Sequence, residues 1–334
     1  MAVLVLVMFA LLGFALPSRA ASPNENLYAV DVIEGGKRIF AAGAFGSVFR
    51  SDDGGVSWVE QATPVKQSLF GVSFVDADTG VVVGKSGIVL RTTDGGASWT
   101  LVPSGTDKHL FSVQMVDTRH GWAVGDWGVI LETTDGGASW RDRSLDQDVV
   151  LSEVTFADSL HGWVVGEFGT VLATTDGGAT WEPQSSGTEK TLFGVAFADT
   201  TRGWIVGIDG VVLRTRDGGQ TWEAQRGQAR QGNLEDLVFV DMLTNPGLYD
   251  VAISGTTGCI VGDTGTVLIS NDAGNSWTQH TLPADYRLLW LRGASMVTGG
   301  TGALVGAKGL VVPIVRGEPR EPGTGQRYAA NEVG

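Results

Sequence analysis

A turn sequence that recurs at a fixed spacing organises this chain of 334 residues. Its clearest copy reads Thr-Thr-Asp-Gly-Gly-Ala-Ser-Trp and ends at Trp140. Six copies occur, and they end at Trp58, Trp99, Trp140, Trp181, Trp222 and Trp277. The first five tryptophans are each 41 residues apart, whereas the last gap is 55 residues. A period of about 40 residues is typical of repeat architectures in which each unit packs on its neighbours.

The repeated motif predicts a tight turn between two strands. Paired glycines accept the positive φ angles that such a turn needs, and the Asp carboxylate can accept hydrogen bonds from N–H groups of the turn. The tryptophan then opens the next strand and buries its ring, which contributes at most about 4–6 kcal/mol by area. Because all six aspartates hold the same turn position, we interpret them as scaffold rather than as catalytic acids.

Each repeat reads as four short strands joined by glycine turns. In the second repeat the predicted strands are 69–75, 81–83, 88–92 and 98–102. Four short antiparallel strands in about 40 residues are typical of one blade of a β-propeller. Six motif copies and a degenerate seventh copy near 286–315 therefore predict an all-β fold, a seven-bladed β-propeller of four-stranded antiparallel blades.

Two irregularities in the repeat need a structural explanation. The seventh copy lacks the Asp turn and its tryptophan, so we predict that residues just before Leu27 supply its outer strand. The 14 extra residues of the sixth repeat, roughly Met242 to Gly255, are predicted to enlarge the hairpin between its first and second strands. This placement follows from aligning 234–241 with 192–199, and it leaves open whether the insert is decoration or a partner-binding loop.

The ends of the chain differ in composition from the repeats. An apolar run at 2–16 followed by Ser18-Arg19-Ala20 is typical of a cleaved signal peptide, and an uncleaved N-terminal anchor is the alternative. The last residues are rich in Pro, Gly and charge, which is typical of disorder. The predicted domains are a signal peptide at 1–20, the propeller at 21–316 and a disordered tail at 317–334.

Charge and composition exclude several classes of partner. The net charge of −14 argues against nucleic acid as a partner. No second long apolar run follows the first, so we expect no direct membrane insertion after signal cleavage. Cys259 is the single cysteine, and it permits no internal disulfide.

The hairpins between second and third strands contain variable residues within a constant glycine frame. Since the glycines form the turn, the residues at the tips are free to serve binding. We predict a partner-binding surface at these tips, and its residues are Phe45, Lys85, Asp126, Trp127, Phe168 and Asp209. The aromatic rings would anchor the partner and the charges would orient it. The alternative is that the rings fold over neighbouring blades.

Arginines recur at two other repeat positions. Arg50, Arg91 and Arg214 lie late in a third strand, and Arg119 and Arg202 precede a Gly-Trp pair. These five could form a basic patch for an acidic partner segment, or they could make ion pairs between blades.

Signatures of catalysis are lacking in the sequence. The four histidines show no metal-ligand spacing, and neither a Gly-x-Ser-x-Gly elbow nor a phosphate-binding loop occurs. We therefore predict no catalytic residues, no metal and no cofactor.

The Ser/Thr-x-Asp-Gly-Gly-x-Ser/Thr-Trp turn resembles the Asp-box of sialidases, sortilin-type receptors and some glycoside hydrolases. The complete unit resembles the photosystem II stability/assembly factor family more closely, over roughly 27–315. Residues 197–222 fit the string Phe-x-Asp-x-x-x-Gly-Trp-x-Val-Gly-x-x-Gly-x-Val-Leu-x-Thr-x-Asp-Gly-Gly-x-Thr-Trp.

That resemblance implies a non-enzymatic propeller in the periplasm, or in the thylakoid lumen of a photosynthetic host. It implies a membrane protein or envelope complex as partner and an arginine patch, for which the five arginines above are the candidates. We expect the protein to be a monomer. The alternative is a carbohydrate-active propeller, either a sialidase-like glycoside hydrolase or a lectin. The absence of an Arg-Ile-Pro element weakens that alternative.

Overall fold

The structure, a computed structural model, describes residues 19–20, 23–225 and 246–321. These residues form seven antiparallel sheets, each with its strands in simple up-and-down order. Six sheets have four strands, and the sheet of blade one has a fifth strand at its outer edge. The predicted all-β, seven-bladed β-propeller is confirmed.

Each blade runs outward from the channel at the centre of the ring. The first, innermost strands are Leu27–Ile33, Leu69–Phe74, Leu110–Met115, Leu151–Phe156, Leu192–Phe197, Leu248–Ser254 and Leu291–Val297. The second strands are Arg38–Gly43, Gly80–Gly84, Gly121–Gly125, Gly162–Gly166, Gly203–Gly207, Thr257–Gly262 and Thr301–Gly306. The third strands are Val48–Ser51, Val89–Thr92, Ile130–Thr133, Thr170–Thr174, Val212–Thr215, Val267–Ser270 and Val311–Val315.

The fourth, outermost strands are shorter: Val59–Gln61, Thr100–Val102, Arg141–Asp142, Glu182–Ser185, Glu223–Ala224, Thr278–His280 and Glu318–Pro319. Among the described residues, helical geometry is limited to single 3-10 turns of three residues. These turns are Glu34–Gly36, Ala44–Gly46, Lys85–Gly87, Asp126–Gly128, Glu167–Gly169, Ile208–Gly210, Ala284–Tyr286 and Ala307–Gly309.

The hydrophobic core lies between the blades. The second strand of blade two, Gly80–Gly84, is buried along its whole length because neighbouring blades cover both of its faces. Seven apolar clusters fill the seven interfaces. At the interface of blades one and two, the ring of Phe40 stacks on that of Phe74 with 3.5 Å between centroids. A ring of such interfaces explains why every repeat carries β-branched residues in its second and third strands.

The Asp turn is satisfied internally, as its interpretation as scaffold predicts. In blade three, Asp135 Oδ1 accepts hydrogen bonds from Thr133 Oγ1 and Ser139 N at 2.9 Å each. Asp135 Oδ2 accepts the hydroxyl of Ser139 at 2.6 Å. The same arrangement occurs at Asp53, Asp94, Asp176, Asp217 and Asp272. Turn donors occupy both carboxylate oxygens, so the aspartates lock the turn.

The prediction for the closure of blade seven is wrong. Its fourth strand is Glu318–Pro319, which pairs with the strand Val311–Val315 and lies within the predicted tail. The strand before Leu27 is Arg19–Ala20, and it pairs with the outer strand of blade one instead. The ring closes through contacts between blades, including a hydrogen bond from Val32 N to Ser295 Oγ at 3.1 Å.

The placement of the insert in blade six is also wrong. The first strand of this blade is Leu248–Ser254, and a tight turn with Gly255 at φ +62° joins it to the second strand. The extra residues therefore precede the first strand and belong to the connection from blade five. Both stretches of sequence suit an inner strand, but Leu248-Tyr249 reproduces the Leu-aromatic start of four other inner strands. The aligned segment 234–241 lies outside the described residues.

The predicted signal peptide and tail lie largely outside the described residues. Of the predicted signal peptide, the structure describes Arg19–Ala20. Of the predicted tail, it describes residues 317–321. Across the described ranges, no helix has the length and apolarity that would be needed to cross a membrane.

Candidate functional site

The propeller has two faces with different loops. On the hairpin face, each hairpin between second and third strands binds the residue that precedes the inner strand of its blade. Lys85 N, for example, donates to Ser68 O at 2.9 Å. On the Asp-turn face, each Asp turn binds the turn between first and second strands, as in the 2.8 Å bond from Gly136 N to Arg119 O. The two candidate surfaces from the sequence therefore lie on opposite faces.

Three aromatic hairpin tips stand exposed on the hairpin face. The exposed fractions of Phe45, Trp127 and Phe168 are 65%, 55% and 71%. Their φ angles are 56°, 59° and 56°, so each is a non-glycine residue in the left-handed region. That conformation costs about 1–2 kcal/mol per residue, and an exposed ring recovers little of it by burial. The rings do not fold over neighbouring blades.

The predicted charged residues accompany these rings. Lys85 is exposed, and Asp126 is half-buried with its carboxylate 4.0 Å from His109 Nδ1. Asp209 is exposed and pairs with Lys190 at 3.3 Å. The amine of Lys108 lies 4.8 Å from the centroid of the Trp127 ring. The hairpin face therefore carries both apolar tips and charges of both signs.

The arginines act chiefly as braces on the Asp-turn face. Three of them reach the Asp turn of the next blade: Arg50 binds Gly95 O, Arg91 binds Gly136 O and Arg214 binds Asn275 Oδ1. The other two, Arg119 and Arg202, are exposed and bond within their own blades, to Thr134 O and the Asp199 carboxylate. The five therefore have partners within the propeller.

An arc of aromatic side chains around the channel mouth was not predicted from the sequence. It consists of the aromatic residues at the second position of five inner strands, with Trp290 directly before the inner strand of blade seven and Arg292 at the second position of that strand: Tyr28, Phe70, Phe111, Phe193, Tyr249, Trp290 and Arg292. Neighbouring centroids are 5.4–5.8 Å apart at the pairs Trp290–Tyr28, Tyr28–Phe70, Phe70–Phe111 and Phe193–Tyr249. The arc is open at blade four, where Ser152 holds the same position. The aromatic residue that follows Leu at the start of most inner strands is the sequence pattern that could have predicted this arc.

The arc opens into a central channel of about 860 Å³. The inner strands border this channel with an unpaired edge, whose N–H groups need partners. Side chains of the preceding blade accept these hydrogen bonds. The acceptor and donor pairs are Asp31 and Phe74, Ser73 and Met115, Ser112 and Val154, Gln114 and Phe156, Glu153 and Val195, Asp250 and Ala294, and Ser295 and Val32.

Three of the acceptors are carboxyls with a raised pKa. Burial raises the pKa of Asp31 to about 6 and that of Asp250 to about 7, although hydrogen bonds from backbone N–H groups lower both. Burial also raises the pKa of Glu153 well above its ordinary range, and the nearby Asp250 carboxylate adds to this rise. All three side chains face the channel and stay partly accessible, so channel water offsets part of the desolvation.

We expect the free energy of unfolding to increase when the pH is lowered from 8 to 5. In this range the folded protein takes up protons at Asp31 and Asp250, whereas the unfolded chain, with ordinary Asp pKa values of 3.8, does not. Proton uptake by the folded state stabilises it, by on the order of 1–2 kcal/mol. Carboxyls of the Asp turns oppose this only below about pH 4, because their pKa values are lowered.

Urea denaturation at pH 8, 7, 6 and 5 measures this effect. Asp250→Asn should reduce the pH dependence, while Asp209→Asn, at an exposed carboxylate, should leave it unchanged. A free energy of unfolding that falls steadily from pH 8 to pH 5 would contradict the expected result.

Within the described ranges, no three His, Cys, Asp or Glu side chains are grouped so that they could hold a metal ion. His120 and His161 each bind the aspartate three residues earlier, Asp117 and Asp158, in the turn between first and second strands. These histidines stabilise turns, which agrees with their repeat position.

Comparison with known proteins finds other β-propellers. The family model described as photosynthesis system II assembly factor YCF48 matches residues 95–183 and 184–288, more than half of the chain. A search of curated proteins finds no match. Among solved structures, YCF48 bound to a D1 peptide superposes with a TM-score of 0.69 at 21% identity, covering 90% of this chain and 97% of that one.

Two further structures extend the comparison. YCF48 from Cyanidioschyzon merolae has a TM-score of 0.68 at 18% identity, covering 89% of this chain and 98% of that one. A GH74 xyloglucanase from Xanthomonas campestris has a TM-score of 0.69 at 14% identity, covering 89% of this chain and 53% of that one. At these identities the structural likeness concerns the fold alone.

Proposed function

The chain belongs to the family of the photosynthesis system II assembly factor YCF48, and from this we propose that it is a non-enzymatic assembly factor that binds a segment of a membrane-protein subunit. The hairpin face is the proposed contact surface. The observation that carries this choice is the exposure of the rings at Phe45, Trp127 and Phe168, at a turn position whose left-handed backbone Ser86, Asp209 and Lys308 share. The turn itself therefore requires no ring at this position, whereas burial of such rings in a partner favours binding.

The YCF48 structure that superposes on this chain is described as bound to a D1 peptide. By analogy, the partner proposed here is an extended segment of a membrane protein or envelope complex. Exposed aromatic tips around a channel mouth suit such a segment, because they offer apolar contacts without a deep pocket. Charges at Lys85, Asp126 and Asp209 would change the association rate more than the affinity.

A test compares two pairs of exposed apolar residues on opposite faces. We expect Trp127→Ala with Phe168→Ala to abolish capture of the membrane proteins that the unchanged protein retains from solubilised envelopes, as identified by mass spectrometry. The control pair is Val56→Ala with Leu160→Ala, whose side chains are 82% and 50% exposed on the Asp-turn face, and it should retain capture.

The same experiment judges the rival surface. If Arg119→Ala with Arg202→Ala removes capture while the aromatic pair retains it, the Asp-turn face is the contact surface. Binding to a glycan array, or turnover of chromogenic glycosides, would instead favour the carbohydrate-active alternative.

We further propose that the protein is exported to the periplasm, or to the thylakoid lumen of a photosynthetic host. The apolar run at 2–16 and the small residues around Arg19 support cleavage after Ala20, which would remove the Arg19–Ala20 strand from the outer edge of blade one and leave it with four strands. N-terminal sequencing of the exported protein should therefore begin at or near Ala21. Recovery of the full-length chain from the cytoplasm would contradict this proposal.

A further inference from the structure

The aromatic arc already holds one cation of the chain itself. The guanidinium carbon of Arg292 lies 4.2 Å from the centroid of the Tyr249 ring and 5.8 Å from that of Trp290. Ring faces attract cations through their negative quadrupole, and the attraction grows where water is excluded. The phenol of Tyr249 is fixed by a 2.8 Å hydrogen bond to Asp263. The channel mouth therefore offers oriented, electron-rich ring faces.

Two carboxylates lie just below the arc. Glu153 of blade four and Asp250 of blade six hold the third position of their inner strands, next to the arc position. Blade five stands between them and has Gly194 at this level, where a Cβ atom would lie 2.9 Å from the Cα of Asp250. No side chain from the intervening blade therefore separates the two carboxyl groups at this level.

Neither carboxylate has a positively charged partner among the described residues. Glu153 Oε2 accepts Val195 N at 2.6 Å, and Asp250 accepts Val251 N and Ala294 N at 2.7 Å each. Of the ion pairs found in the described part of the chain, none involves Glu153 or Asp250. Mutual repulsion contributes to the raised pKa of Glu153. A cation between the two groups would relieve this repulsion.

We propose that the channel mouth binds a lysine or arginine side chain of the partner segment, with its charged end at Glu153 and Asp250 and its alkyl stem against Phe193 and Tyr249. Long basic side chains combine an apolar stem with a charged end, which matches rings above and carboxylates below. Asp31 and Asp263 add negative charge around the site, and Arg292 is the single cation among the channel-lining residues that the structure describes. Charge complementarity thus favours a basic occupant over an acidic one.

This inference rests on the proposed function only in that a peptide segment lies on the hairpin face. The test uses the full chain and three blocked pentapeptides that differ at the central residue: lysine, norleucine or glutamate. In calorimetric titration at pH 8 we expect the lysine peptide to bind about tenfold more tightly than the norleucine peptide. Binding should weaken at pH 5, because the carboxyls take up protons there.

Two variants locate the site. Glu153→Gln should weaken binding of the lysine peptide about tenfold, because it removes a charge but keeps an oxygen that can accept the N–H of Val195. Glu182→Gln changes an exposed carboxylate on the outer strand of the same blade, and it should bind as the unchanged protein does. Asp250→Asn provides a second variant if Glu153→Gln fails to fold.

The inference is overturned if lysine and norleucine peptides bind equally, if the glutamate peptide binds best, or if folded Glu153→Gln binds lysine normally. Its failure is distinct from failure of the proposed function. If capture of membrane proteins depends on Trp127 and Phe168 but the three peptides bind equally, this inference fails and the proposed function stands. Selective lysine binding without capture of any membrane protein would remove the proposed function and leave the basic-side-chain site standing.

Discussion

Replacing Trp204 with alanine is expected to lower the free energy of unfolding by about 3–5 kcal/mol. Its side chain is 0% exposed and fills the interface between blades five and six, beside Leu248 and Trp277. Its Nε1–H donates to Gly274 O of the next Asp turn at 3.0 Å. Truncation therefore opens a cavity and removes one of the two hydrogen bonds to Gly274 O, which then keeps only Gln225 Nε2 as donor at 3.1 Å, and both effects destabilise the fold.

Trp127 provides a matched control for this measurement. It is also a tryptophan, but it is 55% exposed at a hairpin tip, so its replacement with alanine should change stability by less than about 1 kcal/mol. Urea denaturation followed by far-ultraviolet circular dichroism compares the two variants. If Trp204→Ala and Trp127→Ala lower the free energy of unfolding equally, burial of Trp204 between blades five and six does not contribute to the stability of the propeller.

Gly169→Ala is expected to destabilise the protein by about 3 kcal/mol. Gly169 has φ +69°, and a Cβ atom there would lie 1.8 Å from the carbonyl oxygen of Thr188. The hairpin is held at this place by hydrogen bonds from Gly169 N to Lys190 O and from Ser186 Oγ to Gly169 O. Alanine would force the hairpin away from the connection to blade five and break these bonds.

Gly187 separates the steric effect from the conformational one. It has φ +74° in the same connection, but a Cβ atom there would meet nothing within 4 Å. Gly187→Ala should therefore cost only the left-handed conformation, about 1 kcal/mol. Thermal and urea unfolding of both variants measure the difference. A loss at Gly187 as large as that at Gly169 would show that the close approach to Thr188 has no energetic weight.

The repeat made most of the fold predictable. In blade two the predicted strands 69–75 and 88–92 correspond to Leu69–Phe74 and Val89–Thr92. The positions of Phe45, Trp127 and Phe168 at hairpin tips were predictable as well, because the glycines around them form the turn. Local hydrogen bonding and turn geometry decide these features, and both are written in short stretches of sequence. The sequence left open whether the three rings fold over neighbouring blades.

Pairing across long distances was not predictable in the same way. The residues before Leu27 and those at 318–319 both suit a short outer strand, and the sequence does not say which strand edge each one meets. Likewise 234–241 and 248–254 both carry the apolar pattern of an inner strand. The arginines at 50, 91 and 214 form a set by repeat position, but their reach to the next blade depends on how the blades pack.

The sequence by itself determined the number of blades, through the count of repeats, and the locked Asp turns, because each turn arises within one repeat. It placed Phe45, Trp127 and Phe168 at hairpin tips but left the exposure of their rings open. Tertiary structure decided what the centre of the ring contains. The arc from Trp290 through Tyr28 and Phe70 joins blades seven, one and two, and the carboxylates of Glu153 and Asp250 approach each other across blade five. Residues so distant in sequence meet only because the inner strands all face one axis.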